Sequence, residues 1–559
     1  MMKTVDRRRF LAGSGVSAGA ALLWRQSAWA SSPAVETAYV NAKVWTGQGC
    51  RIFSDAIGVS GTRIVALGED AVRAGSDRRT RIVDLDGAFV TPGFIDSHVH
   101  FVMASLQLGQ PSLRDAADRA DFERRIAGAA RDLPAGQWLT GGNWDNDRWG
   151  GELPDRGWID AATPHTPVAV VRYDLHMVLL NSRALDMLGI VPGIADVDGG
   201  VIGRDAAGRL TGIFKDAAKD MVMDRIPPAS EAAIDAACRR GMALALGKGV
   251  TQVHEAGVDW RMFHSARRMQ AAGALPLRVH AMVPLADWER LAAIVAEEGR
   301  GDDRVWWGGC KAVFDGSLGS RTALFYEPYL DDPSTRGIMV TDPEALAEGM
   351  LAADAAGMQL AVHAIGDRAN DMVLDMMAKT AQANGARDRR FRIEHAQHLR
   401  PAALARFAKQ QVIASVQPYH AIDDGRWAVR RIGPDRLETT YAFHALLENG
   451  ARVCFGSDWP VAPLDPLTGL EAAVLRRTLD GANPGGWYPQ QRVGLAAAML
   501  AYTREAAFAA GHDTRTGSLT PGLLADFVVW DRDLTTIPPD TLGTAQVLRT
   551  VVGGAIAHG

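Results

Sequence analysis

The stretch TPGFIDSHVH, residues 91–100, decides the fold of this chain. It has the pattern of an apolar strand that ends in His-x-His. Because side chains alternate across a strand, His98 and His100 point to the same face. Two imidazoles that converge at a strand end suit a divalent transition metal. Pro92-Gly93 is typical of the point at which one domain passes to the next. The stretch therefore predicts a metal site at the start of a domain.

The length and composition are those of a globular protein. The chain has 559 residues, enough for a large barrel and a second domain, and it is 47% hydrophobic and 22% charged. A net charge of -5 gives no reason to expect a nucleic-acid partner. No apolar run is long enough for stable membrane insertion. The cysteines show neither metal nor disulfide spacing and are predicted to be packing residues; they are Cys50, Cys238, Cys310 and Cys454.

Residues 1–30 are predicted to be a twin-arginine signal peptide. The sequence DRRRFL, residues 6–11, resembles the twin-arginine export motif, and a weakly apolar stretch follows it. Ala28-Trp29-Ala30 then offers an A-x-A cleavage site. The alternative is a basic, frayed N-terminus. The signal peptide implies the twin-arginine export machinery as a partner and a periplasmic or secreted location.

The remaining chain predicts an α/β protein in which a barrel is flanked by β-rich ends. Residues 34–90 and 515–559 read as short strands that form one small β-sandwich domain. Between them, residues 91–514 alternate strands with Ala-rich helices. Eight such repeats predict a (β/α)8 TIM barrel, with a doubly wound sheet as the alternative. The predicted strands end near His100, His254, Met282, Phe314, Ala364, Ala396, Gln417 and Ser457.

The connection between the first and second predicted barrel strands is too long for one βα unit. The excess, from about residue 107 to 225, is therefore predicted to be an insertion after barrel strand 1. It is rich in Gly and Trp and begins at the catalytic end of the barrel, so it is expected to cover the active-site mouth. Trp144 is a candidate for contact with an apolar part of the substrate.

Further residues that can bind metal lie at or near the ends of other predicted strands: Lys311, His363, His395 and Asp458. Barrel enzymes take their catalytic residues from the carboxyl ends of several strands. Each residue alone has another explanation: a histidine can be structural, Lys311 can pair with Asp315, and Asp458 can cap the following segment. Packing explains the joint pattern poorly, which favours a metal site.

Four segments carry a resemblance to a known family: residues 92–100, 311–319, 363–369 and 456–461. Parts of the insertion match as well, among them RYDLH at residues 172–176. In this order the segments resemble the amidohydrolase superfamily, and within it the amidohydrolase-3 group of N-substituted formamide deformylase-like proteins. The resemblance covers nearly all of the chain that follows the predicted signal peptide.

The resemblance implies a site for one or two divalent ions, expected to be Zn²⁺. His98, His100 and Asp458 would hold one ion, and His363 and His395 a second. Lys311 would bridge them as a CO₂-derived carbamate, since a free ammonium has no lone pair with which to bind a cation. Asp458 would also shuttle the proton during hydrolysis.

Three more residues are candidates for substrate contact: His254, His176 and Arg321. The histidines could instead be satisfied core or supporting residues, and Arg321 could form a surface ion pair. The predicted function is metal-dependent hydrolysis of a non-peptide C–N bond in a small amide or N-acyl compound. The alternatives are hydrolysis of an ester, lactone or phosphoester on the same metal site, or an inactive periplasmic binding protein.

Overall fold

The computed structural model describes residues 34–49, 53–108, 110–133 and 138–559. The twin-arginine motif, the A-x-A site and Cys50 lie outside the described residues. Cys238, Cys310 and Cys454 are buried and unpaired, so their predicted packing role is confirmed. In the described part of the chain, no helix has both the length and the apolar character needed to cross a bilayer.

The centre of the molecule is a sheet of eight parallel strands. Nearly every residue in these strands is buried, because one face packs on the barrel interior and the other on helices. The predicted α/β barrel is thus confirmed. The strands are Phe94–Val99, Val250–Glu255, Arg278–Pro284, Val305–Val313, Gln359–Ala364, Arg392–His395, Ile413–Val416 and Val453–Phe455.

The first and last barrel strands meet along a seam at their carboxyl ends. Val99 forms a parallel bridge with Trp459, and the backbone N–H of Asp458 donates to the carbonyl of His98 at 2.7 Å. The carboxylate of Asp96 crosses the same seam, since its Oδ1 accepts from the backbone N–H of Ser457 at 2.8 Å. The seam therefore closes the sheet beside the predicted metal ligands.

Helices alternate with the barrel strands and bury their apolar faces against the sheet. In the helix Glu231–Gly247, Ser230 caps the N-terminus by accepting from Ala233 N–H, and Ile234, Met242 and Leu246 are buried. The α-helices are Glu69–Gly75, Phe101–Gln107, Arg119–Asp132, Ser182–Met187, Ala217–Met223, Glu231–Gly247, Arg261–Ala271, Trp288–Glu298, Pro343–Ala355, Asp367–Ala383, Pro401–Gln410, Pro418–Asp424, Ala428–Ile432, Phe443–Glu448, Pro466–Leu475, Leu495–Ala501 and Arg504–Ala509. Short 3₁₀ helices are Asn146–Trp149, Arg156–Trp158, Asp160–Ala162, Leu285–Asp287, Pro434–Arg436, Pro489–Gln491 and Pro539–Thr544.

Both ends of the chain contribute to two small sheets beside the barrel. One sheet has four strands from the N-terminal part, and the other has six strands from both ends. Phe527–Trp530 pairs antiparallel with Phe89–Pro92, which leads directly into the first barrel strand. The strands are Thr37–Val40, Lys43–Trp45, Phe53–Ser54, Ile57–Ser60, Arg63–Leu67, Arg81–Asp84, Phe89–Pro92, Phe527–Trp530, Val547–Val552 and Ala555–His558.

A third sheet lies between the first and second barrel strands in the sequence. Its five strands are Gly142–Trp144, Ala169–Arg172, Met177–Leu180, Gly200–Arg204 and Leu210–Asp216. One of its faces packs in a cluster with Phe214, and the other in a cluster with Trp144. The insertion therefore has apolar cores of its own, separate from the main core of the barrel.

Candidate metal centre

The first barrel strand brings two histidines to the carboxyl end of the sheet. His98 is completely buried, and its Nδ1 lies 2.5 Å from Oε2 of Glu394 on the sixth strand. A carboxylate at this distance fixes the ring proton on Nδ1 and leaves Nε2 as an acceptor. His100 lies one residue beyond the strand, with its ring centroid 5.5 Å from that of His98. This arrangement presents His98 Nε2 as a metal-ligating atom.

Asp458, just beyond the eighth strand, faces both histidines. Its Oδ1 lies 3.3 Å from His98 Nε2 and 3.1 Å from His100 Nε2. Neither Asp458 Oδ1 nor His98 Nε2 has a hydrogen-bond partner among the described residues, although both are buried. Buried polar atoms without partners are costly, and a shared cation would satisfy them. His98, Asp458 and His395 each offer one ligand atom, and these three atoms lie within 4.8 Å of one another.

His395 and His363 complete the cluster from the sixth and fifth strands. Their ring centroids are 4.5 Å apart, and that of His395 is 4.9 Å from His98. His395 Nδ1 lies 2.8 Å from Gln417 Oε1, and His363 Nε2 lies 3.2 Å from the carbonyl of Gly316. Each ring thus uses one nitrogen on a protein acceptor and keeps the other for a metal.

The backbone is strained where two of these residues project. His395 has φ 73° and Asp458 has φ 61°, both in the left-handed region that residues other than glycine rarely adopt. Such conformations cost about 1–3 kcal/mol each and cluster at functional sites. At His395 the turn matters directly, because alternation along the strand would otherwise aim His395 and Glu394 to opposite faces.

Lys311 lies near the end of the fourth strand and is 4% exposed. Its ammonium forms no ion pair or hydrogen bond with the described residues, so the pairing with Asp315 that the sequence allowed is absent. Asp315 instead accepts from the backbone N–H groups of Leu324, Ile365 and Gly366. Burial lowers the pKa of Lys311, against the opposing charges of Glu394 and Asp458.

The electrostatics of the cluster come from buried opposite charges. Burial acts to raise the pKa of Asp458, but the charge of His98 and the contact with His100 hold it well below the usual value. Burial likewise opposes the charge on Glu394, and Arg392 and His98 outweigh it, so the pKa of Glu394 is also well below normal. Both carboxylates are therefore anionic at neutral pH and can serve a cation and its ligands.

The insertion adds one further histidine to the cluster. His176 Nδ1 lies 2.7 Å from Asp216 Oδ1, and the His176 ring centroid is 5.7 Å from that of His363. Asp216 ends a strand of the insertion sheet, and its Oδ2 is buried without a partner among the described residues. The sequence candidate His176 thus lies next to the barrel histidines.

Comparison with known proteins agrees with this geometry. The model of the amidohydrolase family matches residues 81–558. The chain belongs to the amidohydrolase family. The resemblance predicted from the sequence motifs is confirmed, as is their order along the barrel.

This amidohydrolase has relatives of similar length. It is 39% identical over 532 residues to Protein LONG AFTER FAR-RED 3 from Arabidopsis thaliana, covering 92% of this chain and 90% of the relative. It is 27% identical to N-substituted formamide deformylase from Arthrobacter pascens, covering 93% and 97% of the two chains. Among solved structures, an uncharacterized metal-dependent hydrolase from Pyrococcus horikoshii has a TM-score of 0.74 and 28% identity, covering 90% of this chain and 99% of that one. These likenesses and the His/Asp cluster support a metal-dependent hydrolase.

Two other candidates in this amidohydrolase, His254 and Arg321, lie away from the cluster. His254 is in the barrel interior, where its Nδ1 lies 3.2 Å from Arg392 Nη1 and its Nε2 lies 3.0 Å from the Gln252 amide nitrogen. Arg321 Nη2 pairs with Asp331 Oδ2 at 3.0 Å. His254 is thus a supporting core residue, and Arg321 forms the ion pair that the sequence allowed.

The proposed substrate contact of Trp144 needs correction. Trp144 is completely buried in the core of the insertion, and its Nε1 donates to the carbonyl of Val170 at 2.9 Å. A side chain with no exposed surface cannot line a pocket, so Trp144 stabilises the insertion instead. Its indole fills the apolar interior beneath the strands, a role that residue type alone does not separate from ligand contact.

Sequence reasoning missed the partners of the ligands. Glu394, Gln417 and His420 were not predicted, yet the first two orient His98 and His395. His420 stacks on His395 with centroids 6.2 Å apart, and its Nε2 lies 3.8 Å from Asp458 Oδ2. The signal available for Glu394 was its place in a strand directly before a candidate ligand. Gln417 and His420 follow the seventh strand, at the same catalytic end of the barrel.

Proposed function

We propose that this protein hydrolyses a non-peptide C–N bond in a small amide or N-acyl compound, using one or two divalent ions of the Zn²⁺ type. The observation that carries the proposal is the convergence of ligand atoms from His98, His395 and Asp458 within 4.8 Å, in a member of the amidohydrolase family. The likeness to a formamide deformylase supports an amide as the substrate.

The residues present suit such ions. His98 and Asp458 have buried atoms without hydrogen-bond partners, which a cation would satisfy. His100 would join them, while His363 and His395 would hold the second ion. Imidazole nitrogens and carboxylate oxygens are the ligands that Zn²⁺ takes in hydrolases. When bound, the ions would lower the pKa of a water molecule and polarise the scissile carbonyl.

We propose a CO₂-derived carbamate on Lys311. The support is a buried side chain on the fourth barrel strand whose nitrogen has no carboxylate partner within the described residues. In the modified form the side chain carries an anion with two oxygens, which is suited to bridging two cations. The unmodified ammonium cannot bind a cation, because its nitrogen has no free lone pair.

Asp458 is the residue that we assign to proton transfer. As water attacks the carbonyl carbon, Asp458 accepts its proton. As the C–N bond breaks, the same carboxyl group returns that proton to the leaving nitrogen, so the carboxylate is restored. We assign substrate contact to His176, which is held by Asp216 and lies beside His363. His254 contacts Arg392, which pairs with Glu394, and we assign it a supporting role.

We further propose that the chain is exported by the twin-arginine machinery to the periplasm or beyond. The support is the order of the three signal elements in residues 1–30. Replacing Arg7-Arg8-Arg9 with lysines should retain the protein in the cytoplasm of a bacterial host. Normal export of that variant would contradict the proposal.

The reaction is tested with purified, Zn²⁺-loaded protein on a panel of N-formyl and N-acyl amines. Matched esters, lactones and phosphoesters of the same size are assayed in parallel. We expect turnover of the amides that is lost on chelation and restored by Zn²⁺. Turnover of esters or phosphoesters alone would contradict the choice of bond, and full turnover by metal-free protein would contradict the metal site.

A further inference from the structure

A cavity of about 350 Å³ lies between the insertion and the loops at the carboxyl end of the barrel. Arg321 follows the fourth barrel strand, and Arg430 and Arg431 lie in the helix Ala428–Ile432 after the seventh strand. Both loops therefore emerge at the mouth of the barrel. The cavity, called the arginine pocket below, is lined by Asp147, Gly150, Gly151, Arg321, Arg430 and Arg431.

The arginine pocket has more positive than negative charge. Asp331 accepts from both Arg321 and Arg431. Asp147, the other carboxylate, is hydrogen-bonded to Arg172 at 2.7 Å and lies 3.9 Å from Arg430 Nη2. No closer carboxylate serves Arg430 in the described ranges, and its side chain is 59% exposed. Arg430 thus turns a largely exposed guanidinium toward the cavity, with Asp147, which Arg431 shares at 3.8 Å, as its nearest carboxylate among the described residues.

Arg431 gives a second, independent sign of a ligand. The residue is 7% exposed, and its Nε is buried with no hydrogen-bond partner among the described residues. A buried guanidinium N–H left without an acceptor costs free energy, which an oxyanion would recover. Arg431 also lines the wall of the cavity, where Asp331 and Asp147 share its Nη groups.

A neighbouring lysine carries the same sign of charge. Lys215, in the insertion sheet, forms no ion pair with any described residue. Burial, and then the charge of Arg321, lower the pKa of Lys215. Lys215 thus adds a buried amine near Arg321, and the charges of Asp216 and Asp174 oppose the lowering of its pKa.

The arginine pocket is connected to the metal cluster by a short stretch of chain. The carbonyl of Gly316 contacts His363 Nε2, and Arg321 follows five residues later, so at most about 18 Å of chain separates the two. Ser317 in this stretch donates to Asp174, which also accepts from Arg172. The arginine pocket and the proposed metals therefore lie at the same end of the barrel.

We propose that the arginine pocket binds a compact oxyanion at the mouth of the barrel. Guanidinium groups recognise carboxylate and phosphate oxygens by paired, charge-assisted hydrogen bonds. The oxyanion is either a terminal group of the substrate, which deepens the proposed function and rests on it, or a separate small ion. Both sources share the chemistry that the pocket offers.

The first experiment measures the binding of inorganic phosphate to the metal-loaded protein by calorimetry. Arg430→Gln removes the exposed guanidinium with little risk to folding, and Arg430→Lys keeps the charge but loses the paired geometry. The control is Arg477→Gln, since Arg477 is similarly exposed but lies outside the pocket. We expect Arg430→Gln to weaken binding about fivefold, Arg430→Lys less, and Arg477→Gln not at all. Equal phosphate affinity in wild type and Arg430→Gln would overturn the proposal.

The second experiment separates the two sources. An N-acyl substrate with a terminal carboxylate is compared with its neutral carboxamide. If the anion belongs to the substrate, Arg430→Gln raises KM for the carboxylate compound about fivefold and leaves the carboxamide unchanged. If Arg430→Gln weakens phosphate binding but leaves KM unchanged for both compounds, the pocket binds a separate ion. Absence of phosphate binding together with equal KM values overturns the proposal, while failure to hydrolyse either compound counts only against the proposed function.

Discussion

His98 and His254 lie on neighbouring barrel strands, and both are fully buried, yet only one is placed to bind a metal. His98 Nδ1 faces the carboxylate of Glu394, which leaves its Nε2 open toward Asp458. Arg392 donates to His254 Nδ1 at 3.2 Å, and the Gln252 side-chain amide lies 3.0 Å from Nε2, so neither nitrogen is open toward a metal. The partner of the ring, and not its place at a strand end, separates a ligand from a core residue.

The environment below the metal cluster reinforces this difference. The His254 ring is 5.3 Å from His280, which stacks at 5.4 Å on Trp306, and Trp306 stacks at 3.5 Å on His512. Burial and the charge of Arg392 hold the pKa of His254 well below its usual value. These side chains fill the barrel interior as neutral, packed rings.

The largest expected effect is the difference in bound metal and kcat between His98→Ala and His254→Ala. His98→Ala removes an Nε2 ligand, so bound metal and kcat should both fall, by more than about a hundredfold in kcat. His254→Ala, the matched control, should keep its metal because no ligand atom is lost. Metal per chain by mass spectrometry and kcat on an N-acyl substrate measure the contrast. Equal metal loss in the two variants would remove the distinction.

Asp458→Asn tests the carboxylate that faces His98. Asparagine keeps the shape but cannot accept the proton, so kcat should fall by about 10²–10⁴-fold. KM should change little, because the shuttle acts in the transition state. Bound metal should fall less than in His98→Ala, since other ligands remain. A near-normal kcat with unchanged metal would instead make His176 the leading candidate for proton transfer.

Glu394→Gln sharpens the role of the partner. The amide can no longer provide the carboxylate that fixes the His98 tautomer, so metal affinity should drop by about 10–100-fold. Gln252→Ala removes a side chain that contacts His254 in the layer of the barrel interior below the metal cluster, called the lower layer here. This change should leave metal affinity unaltered. Competition with a chromogenic chelator measures both. If Gln252→Ala weakened the metal as much as Glu394→Gln, the lower layer would belong to the metal centre.

The smallest effect is expected from a residue that is buried but distant in function. Trp144→Phe removes the hydrogen bond to Val170, so the free energy of unfolding should fall by about 1 kcal/mol. KM should stay constant, because the ring does not reach a pocket surface. Urea unfolding and steady-state kinetics on the same preparation check this. A clear rise in KM with unchanged stability would return Trp144 to the substrate site.

The fold could be predicted because its signals are local. Short apolar strands alternate with Ala-rich helices, and the carboxyl end of each strand marks one face of the barrel, so His98, His363 and His395 could be assigned before any contact was known. The residues that orient these histidines could not be predicted, because each comes from a part of the sequence distant from the histidine that it orients. Glu394 meets His98 across 296 residues, which no periodicity reveals.

The insertion was the part that sequence reasoning described least well. Its Trp-rich composition suggested that its side chains line the mouth of the barrel, but Trp144 packs in the insertion's own core. Aromatic residues occur in cores and in pockets. Whether a given one lies in the core depends on which face of the sheet is buried, and the composition does not show this. By contrast, His176 was found through the family resemblance of residues 172–176, and it directly precedes the strand Met177–Leu180.

The seam between the first and last barrel strands has a consequence for the order of folding. Asp96 and Ser457 are 361 residues apart, so bringing them together is the longest loop closure of the barrel. Contacts of such high order form late. Because Asp458 meets His98 across this seam, chains stalled with an open barrel would lack the assembled site. Activity would therefore appear only once the barrel has closed, and chains with an open barrel would be inert.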